Sequence, residues 1–153
     1  MVLKDFNEIF EFVKIAVEAK FKMHRAGISL ILQGLPTSLG AYHVLGSNMI
    51  IVNRRILVII KARKSLEEYN SYLFMVLGHE YLHSLGIVNE FEVRKMILSL
   101  CLSMFGEDHL ASIMARYGPW SIFPDLHLDH KYEPERTFEI IRNFDKTTQS
   151  YIH

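Results

Sequence analysis

Cysteine is almost missing from this chain. Cys101 is the single one in 153 residues, so no intramolecular disulfide can form, and the usage fits a reducing compartment. An excess of charge of either sign is also missing, with seventeen basic against seventeen acidic residues. That balance argues against a nucleic-acid partner or an anionic membrane surface. Long apolar runs are absent too. Stretches such as Ile56–Ile60 are too short to cross a bilayer. Lys4, Asp5, Glu8 and Glu11 interrupt the N-terminal segment where a signal peptide needs an unbroken apolar core. A soluble, cytoplasmic protein is expected. No repeat, low-complexity tract or linker divides the sequence, so residues 1–153 are expected to form one domain.

What is present is a globular composition, half apolar and 22% charged. Phe6, Ile9, Phe10, Val13, Val17 and Phe21 recur at helical spacing and predict an amphipathic helix from residue 5 to about 24. Asp5 is its expected N-cap, with Glu8 completing a capping box, and Gly27 its expected stop. Strands are expected at Ile28–Gln33, more weakly at Tyr42–Leu45, and at Met49–Val52 and Ile56–Ile60, the last two joined as a hairpin. The basic residues Arg54, Arg55, Lys61, Arg63 and Lys64 then read as solvated strand ends. A helix capped by Ser65 follows, and another over about residues 90–105, apolar on most faces and therefore buried, with Cys101 as a small core residue. Asp108 to Tyr117 reads as a short helix closed by Gly118-Pro119, residues 120–132 as irregular, and Pro134 to about Phe144 as a last helix. The fold class is α+β: a small mixed sheet packed on an N-terminal helix and a central helix, then a mostly helical C-terminal half.

The central helix carries His79-Glu80-Tyr81-Leu82-His83, with Gly86 three residues on. Histidines one turn apart project from one face and can share a metal ion. Glu80 stands beside them as a candidate base for a water molecule. Random placement of eight histidines and twelve glutamates would give this five-residue pattern in roughly 3 of 100 such chains, and with the glycine in about 2 of 1,000. The flanking Phe74, Met75, Val76, Leu77, Leu82 and Leu85 make a buried metal helix a better fit than a solvated one.

Residues 76–86 resemble the active-site helix of the zincin metallopeptidases. Val76 stands three residues before the first histidine, Leu77, Tyr81, Leu82 and Ser84 are uncharged, and Leu85 is the hydrophobic residue two after the second. The resemblance extends over roughly residues 28–105 and is nearest to the small single-domain gluzincins, the minigluzincins. It implies Zn²⁺ held by His79 and His83, Glu80 as general base, and a peptide or protein substrate bound in extended conformation. It also implies a sheet edge along the cleft, for which Gly40 to Asn53 is the candidate.

Two histidines make a poor zinc site alone, so a third ligand is expected. In the metzincin branch it would be a histidine at the position of Asn89, which is a weak ligand. In the gluzincin branch it is a glutamate on the next helix, and Asn89-Glu90 resembles the pair found there. Asn89 with Glu92 has the form of a capping box, which occupies Glu92 structurally and leaves Glu90 freer, apart from an ion pair with Arg94. Glu90 is the favoured ligand, with Glu92, His127 and His130 as alternatives. His127, His130, Tyr117 and Tyr132 are candidate oxyanion donors. The segment from about residue 120 to 153 could instead cover the cleft and keep the enzyme latent. The expected function is zinc-dependent peptide hydrolysis. The alternative is a latent or non-proteolytic metal-binding regulatory protein of zincin fold.

Overall fold

The computed structural model describes residues 2–123 and 138–145. Helix α1 spans Val2–Phe21 and lays Phe6, Phe10, Val13 and Val17 on one buried face. It begins before Asp5, which is therefore inside the helix and not its cap. It ends well before Gly27, because Lys22 takes a left-handed conformation (φ 58°) and its ammonium donates to the Ala19 carbonyl.

The sheet contains β1 (Ser29–Gln33), β2 (Ala41–His43), β3 (Met49–Asn53) and β4 (Phe138–Ile141), in spatial order β2-β3-β1-β4. β1 and β3 run parallel with Ser29 opposite Met49, whereas β2 on β3 and β4 on β1 are antiparallel. β2 is thus an edge strand, and β3, the other half of the expected edge segment, is interior.

Two assignments from sequence are corrected here. Residues Arg54–Arg63 form helix α2, not the second arm of a hairpin. Asn53 starts it: its side-chain carbonyl accepts from Arg55 N, while its amide donates to the carbonyls of Leu35, Pro36 and Leu39. Ile56, Leu57 and Ile60 then fall on one buried helical face, and the basic cluster decorates a helix. The expected last helix is also replaced, within the described residues, by β4. Its Ile140-Ile141 pair adds to the free side of β1 through backbone bonds, with only Ile141 buried. Pro134 lies outside the described residues.

Helix α3 (Leu66–Ser84) is the axis of the molecule. Ser65 and Glu68 form a reciprocal capping box at its start. Thirteen of its nineteen residues are buried against α1, the sheet and the later helices, which explains its continuous apolar sequence. Helix α4 (Glu90–Phe105) keeps its expected bounds but buries one face only, through Val93, Ile97, Leu100 and Cys101, while Phe91 is exposed. Burial pushes the Cys101 thiol up to about 12, so it behaves as a core group and not a nucleophile. Gly78 lets α4 approach closely: a Cβ there would lie 2.6 Å from the terminal methyl of Ile97. Helix α5 (Leu110–Tyr117) starts two residues later than expected, capped by His109, whose Nδ1 accepts from Ala111 N. A single 3₁₀ turn, Pro119–Ser121, follows. No helix among the described residues is long and apolar enough to cross a membrane.

A buried ion pair fastens β4 to the rest. Lys14 Nζ of α1 lies 2.5 Å from Asp145 Oδ1, and Asp145 Oδ2 accepts from Ile28 N just before β1. Lys14→Met, which removes the ammonium shared by Asp145 and Glu11, is expected to cost about 3–5 kcal/mol. Lys14→Met with Asp145→Leu should recover most of that loss. Urea-unfolding midpoints of the two variants check it.

Candidate metal centre

His79 and His83 lie in the last two turns of α3, with ring centroids 5.1 Å apart. After Ser84 the chain reverses through Gly86, whose φ of 102° suits glycine, and Ile87 N bonds back to the Leu82 carbonyl. The reversal sets the Ile87 carbonyl 2.8 Å from His83 Nδ1. A carbonyl only accepts, so Nδ1 carries the proton and the Nε2 lone pair faces outward.

The same turn brings in the start of α4. Asn89 caps it by accepting from Glu92 N, half of the expected box, and Glu90 is the first helical residue. Glu90 Oε1 is 2.8 Å from His79 Nε2, and Oε2 is 2.9 Å from His83 Nε2. Arg94 Nε also reaches Glu90 Oε1 at 3.3 Å, the i,i+4 pair expected from the sequence. The anionic Glu90 thus sits at the positive end of α4, and the histidines at the negative end of α3, where a cation is favoured. Glu92 is exposed and stands apart from this cluster.

One ligand atom each from His79, His83 and Glu90 lie within 4.8 Å of one another. A tetrahedral Zn²⁺ with bonds of about 2.0–2.2 Å sets its ligand atoms roughly 3.3–3.6 Å apart, so small side-chain rotations within that 4.8 Å limit would close the set on one ion. The chemistry of the set agrees. With Nδ1 of His83 turned to the Ile87 carbonyl, Nε2 is the nitrogen left to face Glu90 Oε2, a contact that needs a cation, a proton or a metal ion, between the two atoms. Burial pushes His79 below the usual histidine range, with Glu90 opposing and the neighbouring His83 adding, a shift toward the neutral form that ligates. Partial burial pushes Glu90 upward, but His79, His83 and Arg94 together outweigh it and hold the carboxyl below its ordinary value. A metal set of two imidazoles and one carboxylate fits these residues.

The cluster borders a cleft of about 440 Å³ whose lining includes Gly40, Ala41, Tyr72, Val76, Glu80 and Tyr117. Glu80 is buried at 6% exposure and makes no hydrogen bond or ion pair among the described residues. Burial pushes its carboxyl up to about 7, with Glu90 adding and His83 opposing. Along β2, Gly40 O accepts from Asn53 N and Val44 N donates to Met49 O, so even-numbered residues face β3. By the antiparallel alternation, the N–H and C=O of Ala41 and His43 point to the open edge. Tyr117 borders the cleft, while His127, His130 and Tyr132 lie outside the described residues. Tyr72 is a cleft residue that no motif in the sequence marks. Tyr72 precedes His79 by seven residues, and that helical spacing was the available signal.

Comparison of the chain with models of protein families, with curated proteins and with solved structures finds no match. The site is therefore described by its own geometry, a His-His-Glu group beside a cleft that could hold a metal ion.

Proposed function

We propose that this chain is a zinc-dependent metallopeptidase acting on extended peptide or protein substrates. The observation that carries the reading is the convergence of His79 Nε2, His83 Nε2 and the Glu90 carboxylate next to Glu80 in the cleft. Zn²⁺, when bound, supplies Lewis acidity toward the scissile carbonyl and lowers the pKa of water to about 7. His79, His83 and Glu90 hold the ion, and three protein donors leave a fourth position open.

Glu80 takes a proton from the attacking water and passes it to the leaving amine. Its carboxylate is suited to this because it is held by packing and committed to no other partner among the described residues. The outward N–H and C=O groups of Ala41 and His43 pair with the substrate main chain as an added strand. Of the oxyanion donors expected from sequence, Tyr117 is the one among the described residues, and it borders the cleft. The test is hydrolysis of an unfolded protein by the zinc-loaded chain against its Glu80→Gln variant. Zinc binding without hydrolysis in either would favour the non-proteolytic metal-binding alternative.

A further inference from the structure

Tyr72 is a cleft residue that neither metal binding nor proton transfer uses. It lies seven residues before His79 on α3, two helical turns, so both project on one face. Its side chain is 1% exposed, yet it borders the cleft beside Gly40 and Met75, and Phe123 braces its ring with centroids 6.4 Å apart. Among the described residues the hydroxyl has no hydrogen-bond partner. A buried phenol normally has one, and phenylalanine would fill the same space without an unpaired oxygen.

Gly40 makes room for that oxygen. A Cβ at residue 40 would stand 3.1 Å from the Tyr72 hydroxyl. Gly40 is not among the glycines with positive φ, so it is the space and not the backbone conformation that suits glycine here. Burial, with the Glu80 charge adding, pushes the phenol above its usual range, so the group stays protonated and acts as a donor. A hydroxyl held in the cleft lining, next to Gly40 just before the edge strand, is placed to meet an acceptor on whatever lies along that strand.

We infer that Tyr72 is a substrate-binding residue whose hydroxyl donates to a main-chain carbonyl of the bound peptide, about three residues from the scissile bond. The distance follows from the helix: seven residues at about 1.5 Å each are about 10 Å. Three residues of extended chain at about 3.3 Å each cover the same length. Every peptide offers a carbonyl there, so the contact selects for substrate length and not for a particular side chain. The inference rests on the peptidase reading.

The experiment is a ladder of quenched fluorescent peptides, sharing one cleaved bond and extended by one to five residues on either side. Wild type should favour peptides that reach the Tyr72 position. In Tyr72→Phe, which keeps the ring and its packing, that advantage of long over short peptides should shrink about tenfold, mainly through KM. Binding provides a readout independent of turnover. The zinc-loaded Glu80→Gln protein should bind a long peptide about tenfold more tightly than the Tyr72→Phe/Glu80→Gln double variant. An equal loss on short and long peptides would mean a structural role and overturn the proposal alone, as would an unchanged length dependence. Absence of both hydrolysis by wild type and peptide binding by Glu80→Gln would overturn the peptidase reading and the proposal with it.

Discussion

Glu80→Gln is expected to retain about one zinc per chain and to lose roughly 10²–10⁴-fold in peptide hydrolysis, the range that a positioned acid–base group contributes. Glutamine has the size and shape of glutamate and removes only the ability to take and return a proton. Glu80 is buried and holds no partner among the described residues, so the substitution breaks no ion pair and also removes the cost of burying a charge. Folding should therefore be intact, and circular dichroism and zinc content measured on the same samples check it. An active Glu80→Gln protein would remove Glu80 from the mechanism. Zinc-loaded wild type without hydrolysis would leave metal binding standing and turnover not.

The second large effect concerns the third ligand. Glu90→Ala is expected to weaken zinc binding by more than about a hundredfold, since loss of groups that merely support ligands already costs 10–100-fold. Glu92→Ala, by contrast, should change affinity by no more than about twofold, because its exposed side chain stands outside the His79–His83–Glu90 group. Competition against a chromogenic chelator measures both. Equal losses would mean that the turn rearranges on binding, and a loss at Glu92 alone would move the site.

Helix α3 was the most legible part of the chain because its signals agree. Ser65 marks the start, the apolar run demands burial, and the histidine spacing fixes a common face. The bounds of α4 were legible for the same reason, with Asn89 before it and Gly106 after it. Which glutamate turns toward the histidines was harder to read. Glu90 and Glu92 are two residues apart and so lie on nearly opposite helix faces. The choice between them depends on the reversal through Gly86 that orients α4.

Helix α2 was misread because Ile56–Ile60 is a short, β-branched run in which strand and helix patterns coincide. The deciding group was the Asn53 amide, whose three carbonyl and two N–H partners lie on the preceding loop and the start of α2. β4 is a case of tertiary context overriding local preference: with one buried residue in four, it owes its conformation to the free side of β1. Tyr72 escaped notice because a tyrosine in an apolar helix reads as core. Its hydroxyl, unpartnered among the described residues, stands out only beside Gly40.

The measurement that bears most directly on the metal centre is anomalous diffraction at the zinc edge from crystals of the zinc-loaded protein. One peak per chain is expected, in contact with His79 Nε2, His83 Nε2 and a Glu90 carboxylate oxygen. A protein that keeps its fold and shows no peak there, or whose zinc is held by residues other than these three, would contradict the assignment.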